Sequence, residues 1–195
     1  MTTPSVPDGR PGLRELKKQR TRAAIQDAAI DLIGRQGYDA TTCEQIAAAA
    51  EVSPATFFRY FPTKEDVVLQ DDYDPLMASA VAARPRHEPP FQAVRRALGE
   101  TLAQLPEQEM ALVHERTQLL LSVPALRART HEQFEAARGA LADVLAVRMG
   151  LPSDALAVQA VAAACAAAVS VGVERWARDG GRLSDHIDGA LSALG

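Results

Sequence analysis

Residues 41–66 carry helix start and stop signals so closely spaced that they leave this segment little choice of fold. The stretch Thr42–Gln45 matches a capping box, and Thr41 begins the same pattern one residue earlier, so a short helix starts here. Ser53-Pro54 supplies an N-cap and a proline at the first position of a second helix, which Pro62 ends after about two turns. Two short helices joined by a tight turn form a helix-turn-helix, which presents its second helix to the major groove of DNA.

The rest of the chain is also predicted to be helical, because apolar residues recur at helical spacing between glycine and proline breaks. The first helix runs from Leu13 to Gln36, with Gly37 as its C-cap, and a helix capped by Thr63 follows the helix-turn-helix. Segment 71–90 holds four prolines and is predicted to lack regular secondary structure, although Leu76–Ala83 also fits a helix. Further helices are predicted over residues 91–105, 107–121, 124–149, 153–178 and 184–194.

The predicted fold class is therefore all-α, with about nine helices in two domains. The proline-rich segment 71–90 is the natural seam between them. The predicted domains are a flexible basic arm over 1–12, a three-helix DNA-binding domain over 13–70 and a C-terminal helical domain over 71–195.

Charge is distributed unevenly along the chain. The formal net charge is −4, yet residues 1–64 hold nine Lys/Arg against seven Asp/Glu and carry +2, which leaves −6 for the remainder. A basic N-terminal part on an acidic body suits a protein that touches nucleic acid with one end only.

The two cysteines, Cys43 and Cys165, do not form a CxxC pattern, so the sequence predicts no metal site, no disulfide framework and no cofactor. Residues 155–173 are long enough to span a bilayer, but alanine dominates them and Gln159 interrupts them, which favours a closely packed buried helix and no membrane partner. The N-terminus lacks the apolar segment of a signal peptide, so we predict a cytoplasmic protein.

Residues 14–66 resemble the DNA-binding domain of the TetR family of bacterial transcription regulators. The resemblance is carried by the motifs Gly37–Thr42, Ile46–Ser53 and Thr56–Glu65, which match the family pattern at fixed spacing. It implies a homodimeric regulator, commonly a repressor, that binds a palindromic operator and is released by a small molecule. The C-terminal domain would then be the ligand-binding and dimerisation domain.

Helix geometry combined with the resemblance predicts the DNA contacts. Arg59 would reach a guanine edge or a phosphate, Phe58 would stack or meet a thymine methyl group, and Lys64 would contact phosphate. Tyr60 is as much a candidate for the core as for phosphate, and Arg59 and Lys64 are alternatively ordinary solvated charges. The full predicted set is Lys17, Arg20, Thr41, Thr42, Ser53, Pro54, Ala55, Thr56, Phe58, Arg59, Tyr60 and Lys64.

The last two helices are the predicted dimer interface. A two-fold axis would place two recognition helices about one turn of DNA apart, so that one dimer reads a palindrome. Small residues in this region allow close backbone approach, and a tryptophan can anchor an interface. The predicted interface residues are Ala163, Ala167, Trp176 and Leu191; the alternative is a core helix within one chain.

A ligand pocket is expected among the middle helices. Its predicted residues are Phe91, Met110, His114, Gln118 and Phe134, each of which is alternatively plain core or surface. The stretch Leu119–Arg129 looks like the TetR branch that includes mycofactocin-pathway regulators, some of which respond to long-chain acyl-CoA. That resemblance implies a long apolar tunnel with a basic mouth for the phosphates of acyl-CoA or a similar hydrophobic ligand.

Two other classes of protein are alternatives to a DNA-binding regulator. The sequence contains no nucleophile motif, no metal-ligand spacing and no glycine-rich phosphate loop, so no enzyme is predicted. A helical ligand-binding or interaction protein without sequence-specific DNA binding is the other alternative. That alternative predicts no salt-dependent affinity for DNA, whereas a regulator loses affinity steeply as salt rises.

Overall fold

The computed structural model describes residues 12–70 and 73–194, which contain ten α-helices and no β-strand. They form two compact units, one ending at Val67 and the other beginning at Val68. The predicted all-α fold class is confirmed, whereas the predicted arm over 1–12 lies, apart from Gly12, outside the described residues. The helices are α1 (Leu13–Gln36), α2 (Cys43–Ala49), α3 (Pro54–Tyr60), α4 (Lys64–Leu69), α5 (Tyr73–Ala83), α6 (Pro90–Ala103), α7 (Glu107–Ser122), α8 (Pro124–Met149), α9 (Leu156–Asp179) and α10 (Leu183–Ser192).

The caps of α2 and α3 confirm the sequence signals. The Thr42 hydroxyl accepts from the Gln45 amide at 3.2 Å, and the Gln45 side chain accepts from the Thr42 amide at 3.0 Å, which completes a capping box. At the start of α3 the Ser53 hydroxyl accepts from the Thr56 amide at 3.1 Å, with Pro54 at the first helical position. These caps fix where both short helices begin.

The core of the first unit joins α1, α2 and α3. Ile25, Ile46, Phe57 and Phe61 are fully buried and pack in one cluster with Ala29. Two aromatic side chains from the α3 region thus hold that short helix against α1 and α2, since burying each large apolar side chain contributes about 2–3 kcal/mol.

The second unit has a larger core, to which α5, α6, α8, α9 and α10 contribute. Val94, Leu145, Trp176 and Leu191 are among its buried members. Gly172 brings α9 against α10, because a Cβ built at this glycine would lie only 3.0 Å from the Cα of Ile187 and, with both helices held by the same core, would force their backbones apart. The last two helices therefore pack with their backbones in contact.

Helix α9 is long and apolar enough, by length and composition, to cross a membrane. The core helix of a soluble protein can have the same length and composition. One face of α9 does belong to the core of the second unit, through Val158, Ala162, Cys165 and Trp176. Its opposite face is uncovered in the single protomer.

A charged cluster ties the α5–α6 turn to α8. The Glu88 carboxylate, 5% exposed, accepts from Arg84 at 2.6 Å and from Arg96 at 2.8 Å. The hydrogen bonds from Arg84 and then Arg96 lower the pKa of Glu88 to about 2, against the opposing effect of its burial. The Arg148 guanidinium of α8 donates to four carbonyls, at Val81, Arg84, Pro85 and Glu88.

Candidate nucleic-acid interface and ligand cavity

The outward face of α3 is the candidate DNA-reading surface of the first unit. Pro54, Ala55, Phe58 and Arg59 are exposed, whereas Phe57 between them is fully buried. These four positions lie on one side of a helix, since residues three and four apart share a face and the pairs 54/58, 55/58 and 55/59 have that spacing. The exposed set begins at the N-terminal turn, the part of a recognition helix that usually meets base edges.

Phe58 and Arg59 are the two large side chains on this face. Phe58 is 46% exposed and leans edge-on against Phe57, with ring centroids 5.2 Å apart. The Arg59 guanidinium carbon lies 5.5 Å from the centre of the half-buried Tyr60 ring, which supports the arginine at the surface. A guanidinium and an apolar ring side by side can serve a guanine edge and a thymine methyl group.

Thr41 and Lys64 are engaged inside the first unit. The Thr41 hydroxyl, in a side chain only 1% exposed, donates to the Gly37 carbonyl at 2.8 Å. The Lys64 ammonium donates to the carbonyls of Tyr38 and Thr41 at 2.7 and 2.8 Å and lies 4.0 Å from the centre of the Tyr38 ring. The structure gives both residues a role in holding the α1–α2 turn, where the sequence predicted phosphate contacts.

A half-buried hydrogen bond reinforces the same turn. The Tyr38 hydroxyl donates to the Glu65 carboxylate. Burial, together with this bond and the negative charge of Glu65, raises the pKa of Tyr38, while the hydrogen bond from Tyr38 lowers the pKa of Glu65. Tyr38, Lys64 and Glu65 thus form one interlocked group between the α1–α2 turn and the start of α4.

The remaining predicted DNA-contact residues lie near the surface. Lys17 and Arg20 are exposed on the first half of α1. Thr42 and Ser53 are exposed as well, although their hydroxyls already serve as helix caps, and Thr56 is half-buried behind Ser53.

A cavity of about 350 Å³ lies within the second unit, lined by residues of α5 to α10. Most of its lining is aliphatic, with Phe134 as its aromatic member. The volume falls at the lower end of the roughly 300–1,000 Å³ of small-molecule sites. The polar side chains among its lining residues are Arg116, Thr117, Thr130, Gln133 and Ser170.

Of the five predicted ligand-binding residues, Phe134 lines this cavity. Phe91 and Met110 instead pack against the core, as half-buried neighbours of its buried members. His114 packs edge-on against Trp176 with ring centroids 4.7 Å apart, and Gln118 donates to the Ala177 carbonyl at 3.3 Å. The predicted basic mouth is not found either. Of the described residues that line the cavity, Arg116 alone carries a charge.

The four predicted dimer-interface residues separate into two pairs. Trp176 and Leu191 are 4% and 1% exposed and belong to the core of a single protomer. The Trp176 indole donates to the Gly181 carbonyl at 3.1 Å, which holds the α9–α10 turn. Ala167 is exposed and Ala163 half-buried, so these two remain at the surface of α9.

Two family models match the chain. The model described as "MftR C-terminal domain", of the TetR type, matches residues 88–195, more than half of the chain. The model described as "Bacterial regulatory proteins, tetR family" matches residues 25–70, which contain the helix-turn-helix. The first match lies within the second unit, and the second match covers residues 25–67 of the first unit and extends to residue 70.

Curated relatives agree with these models. The chain is 42% identical over 111 residues to the transcriptional regulator TcmR of Streptomyces glaucescens, covering 56% of this chain and 49% of the relative. It is 48% identical over 48 residues to the regulator YvkB of Bacillus subtilis, covering 25% of each. The matched region thus spans about half of the first relative's length and a quarter of the second's.

Solved structures extend the likeness to almost the whole chain. The FadR repressor of Thermus thermophilus, in complex with lauroyl-CoA, superimposes with a TM-score of 0.54 at 28% identity, covering 89% of this chain and 92% of that one. The FadR regulator of Bacillus halodurans gives a TM-score of 0.58 at 20% identity, covering 95% and 96%, and so shows the shared fold. The chain belongs to the TetR family of bacterial transcriptional regulators.

Proposed function

We propose that this protein is a cytoplasmic, ligand-released repressor that binds a palindromic operator as a homodimer. The observation that carries the proposal is the outward face of α3, where Phe58 and Arg59 stand exposed on a helix that the fully buried Phe57 anchors to the core. The family's function in transcription supports a regulator over an enzyme. An exposed phenylalanine would also suit a protein-binding surface, so the salt-dependent affinity for DNA tested below separates the two functions.

Direct reading of bases is assigned to α3, and phosphate contact to its surroundings. Phe58 would cover a thymine methyl group, and Arg59 would donate to a guanine edge. Ser53, Pro54, Ala55 and Thr56 would line the approach to the bases, and the half-buried Tyr60 would donate to a phosphate. Lys17 and Arg20, exposed on α1, together with Thr42, would contact the phosphate backbone.

Replacing Arg59 with alanine is expected to cost about 1–3 kcal/mol on the cognate operator and little on random DNA, because a lost base contact removes sequence discrimination. Lys17→Ala is the matched control. It should weaken both DNAs equally and reduce the salt slope by about one, as a phosphate contact does. Anisotropy titrations on both DNAs at several salt concentrations measure this, and an unchanged site preference in Arg59→Ala would remove Arg59 as a reader.

The homodimer is proposed to form through the uncovered face of α9. Leu156 and Val171 are 85% and 61% exposed there, on the same face as Ala163 and Ala167. An exposed apolar face on a helix whose other face lies in the core is typical of an interface. A two-fold axis would bury this face against the same face of a second protomer.

Val171→Asp is expected to raise the dissociation constant of the dimer at least roughly tenfold, because an unpaired carboxylate is costly to bury. Val147→Asp is the control, since Val147 is 65% exposed on α8 and is not part of the proposed α9 face. Sedimentation velocity over a concentration series measures both. Equal dimerisation of the two variants would place the interface elsewhere.

The ligand is proposed to occupy the cavity of the second unit and to favour a conformation that no longer fits the operator. Such release requires that the ligand bind the two conformations with different affinity. The FadR of Thermus thermophilus was solved with lauroyl-CoA. An acyl-CoA or another hydrophobic molecule is therefore the first ligand class to test.

The deciding experiment is fluorescence anisotropy on DNA from immediately upstream of the protein's own gene, with and without palmitoyl-CoA. Tight, salt-sensitive binding that palmitoyl-CoA abolishes is the expected result. Tight binding without release would keep the regulator and reject palmitoyl-CoA. If the protein bound neither this DNA nor any sequence selected from random DNA, the alternative of a helical ligand-binding or interaction protein without sequence-specific DNA binding would be favoured.

A further inference from the structure

The side of α9 that borders the cavity of the second unit carries a serine among apolar residues. Ala166, Val169, Ser170 and Val173 line the cavity, and their spacing of three and four residues places them on one face of the helix. Among the described lining residues, Ser170 thus has the only hydrogen-bonding side chain on the α9 wall. It is half-buried, so its hydroxyl has limited contact with bulk water.

The other polar side chains of the lining are already engaged within the protein. The Thr117 and Thr130 hydroxyls each donate to a carbonyl of their own helix, at 2.7 and 2.8 Å, and the Gln133 amide donates to the Leu69 carbonyl. Arg116, the one charged side chain of the described lining, also interacts within the protein. A carboxylate that entered the cavity would therefore meet no unengaged cation among the described lining residues.

The Ser170 hydroxyl differs from those of the threonines, because its proton has no acceptor among the residues that the structure describes. A serine within a helix can donate to the carbonyl four residues earlier, as Ser122 does to the Gln118 carbonyl at 2.7 Å. Ser170 makes no such bond, although it lies well inside α9. Its proton is therefore available to an acceptor that occupies the cavity.

These contacts favour one kind of ligand chemistry. An uncharged acceptor such as a carbonyl oxygen would satisfy the Ser170 proton. A charged group would lose its hydration without gaining a partner, and an unpaired charge in an apolar site is strongly disfavoured. The rest of the ligand must be hydrocarbon, because most of the lining is aliphatic.

We propose that the cavity selects a ligand whose buried part is an uncharged, mostly hydrocarbon body with a carbonyl oxygen that accepts a hydrogen bond from Ser170. This inference rests on the ligand-release function proposed above and names the chemistry of that ligand. The carbonyl could belong to a ketone or an ester, or to the thioester of an acyl-CoA whose phosphates stay outside the cavity. A free carboxylate does not have this chemistry.

The test uses three probes that share one aromatic body: acetylnaphthalene, isopropylnaphthalene and naphthoate, substituted at the same ring position. The first carries a carbonyl, the second is its hydrocarbon isostere, and the third is charged. An apolar cavity of about 150 Å³ takes benzene, so a naphthalene with a short substituent suits a volume of about 350 Å³. Equilibrium dialysis of the full chain at pH 8, without DNA, measures the affinity for each probe directly.

Acetylnaphthalene should bind at least roughly tenfold more tightly than naphthoate, because naphthoate would bury an unpaired charge. Naphthoate that binds as tightly as acetylnaphthalene would overturn the proposal. So would the failure of both neutral probes to bind.

Ser170→Ala supplies the second arm. In this variant the ratio of the affinities for acetylnaphthalene and isopropylnaphthalene should fall about threefold to tenfold, as expected for the loss of one neutral hydrogen bond. The ratio cancels the different hydration of the two probes, and affinity for isopropylnaphthalene should stay within about twofold. Ser122→Ala makes the same exchange at an exposed serine outside the lining and should keep the original ratio. An unchanged ratio in Ser170→Ala would contradict the assignment of Ser170.

Competition with lauroyl-CoA and laurate separates the sources of the carbonyl. Displacement of acetylnaphthalene by lauroyl-CoA would identify a thioester as one source, and its absence would point to a ketone or an ester. Both outcomes agree with the proposal. Displacement by laurate at the same concentration would contradict the exclusion of carboxylates.

Release of the operator is measured separately, so that the two proposals fail independently. Acetylnaphthalene that binds with the expected preference but leaves the operator complex intact would support the ligand chemistry and count against the release mechanism. Release of the operator by naphthoate, without binding of acetylnaphthalene, would support the release mechanism and overturn the ligand chemistry.

Discussion

Replacing Arg148 with methionine is expected to lower the free energy of unfolding of the second unit by about 3 kcal/mol or more. The guanidinium donates to carbonyls of the last turn of α5 and of the α5–α6 turn, at distances from 2.6 to 3.3 Å. Without it, three partly buried acceptors and one exposed acceptor lose a charged donor. Each buried acceptor left unsatisfied costs roughly 1–3 kcal/mol.

The measurement is the midpoint and slope of urea unfolding, with Arg127→Met as the control on the same helix. Arg127 is exposed and should be replaceable at a cost within about 0.5 kcal/mol. Similar unfolding midpoints for the two variants would mean that the carbonyls of the α5–α6 turn find water or other donors when Arg148 is absent.

Replacing Lys64 with methionine is expected to destabilise the first unit by about 2 kcal/mol, because it leaves the carbonyls of Tyr38 and Thr41 without their donor. It also removes the ammonium from the face of the Tyr38 ring. Operator affinity should fall as a consequence of the loosened α1–α2 turn, whereas the salt dependence of binding should keep its slope.

The salt slope is what distinguishes this role from a phosphate contact. A lysine that neutralises a phosphate releases a counterion, so its removal lowers the slope of log affinity against log salt by about one. Lys17→Met should show that change with unaltered stability, because Lys17 is exposed. A lowered slope with unaltered stability in Lys64→Met would restore the phosphate contact that the sequence suggested.

The boundaries of the helices could largely be predicted from local chemistry. Helices α1, α3 and α8 begin and end where capping residues, glycines and prolines indicate, because those signals act within a few residues. Helix α5 was the least certain element of the prediction. The structure starts it at Tyr73, ahead of Pro75, so the described residues hold ten helices where about nine were predicted. Proline in the first turn of a helix removes no hydrogen bond, so its presence did not mark an irregular segment.

The roles of individual site residues were less predictable, because they depend on partners distant in sequence. Lys64 meets carbonyls 23 and 26 positions away, and no spacing rule reveals that pairing. The exposure of Phe58 and Arg59, by contrast, follows from the periodicity of a short helix with buried Phe57.

Cavity and core were likewise indistinguishable in the sequence. Phe134 and Phe91 both occupy apolar positions of helices, yet Phe134 lines the cavity while Phe91 packs against the core. The way in which several helices cross determines which apolar side chains line a cavity. The sequence pattern of a single helix does not reveal this. Trp176 and Leu191, predicted at the dimer interface, lie in the core of the protomer, and the sequence could not show this because α9 and α10 each carry apolar residues on more than one face.

Trp176 is the only tryptophan of the chain, and its indole is fixed in the core of the second unit. Its fluorescence is therefore an intrinsic optical label for that unit alone, while helical circular dichroism records both units together. Comparing the two signals during one denaturation shows whether the units unfold as a single cooperative transition or in two steps. The molecule thus carries, without any attached dye, the means to assign a stability change to one half of its fold.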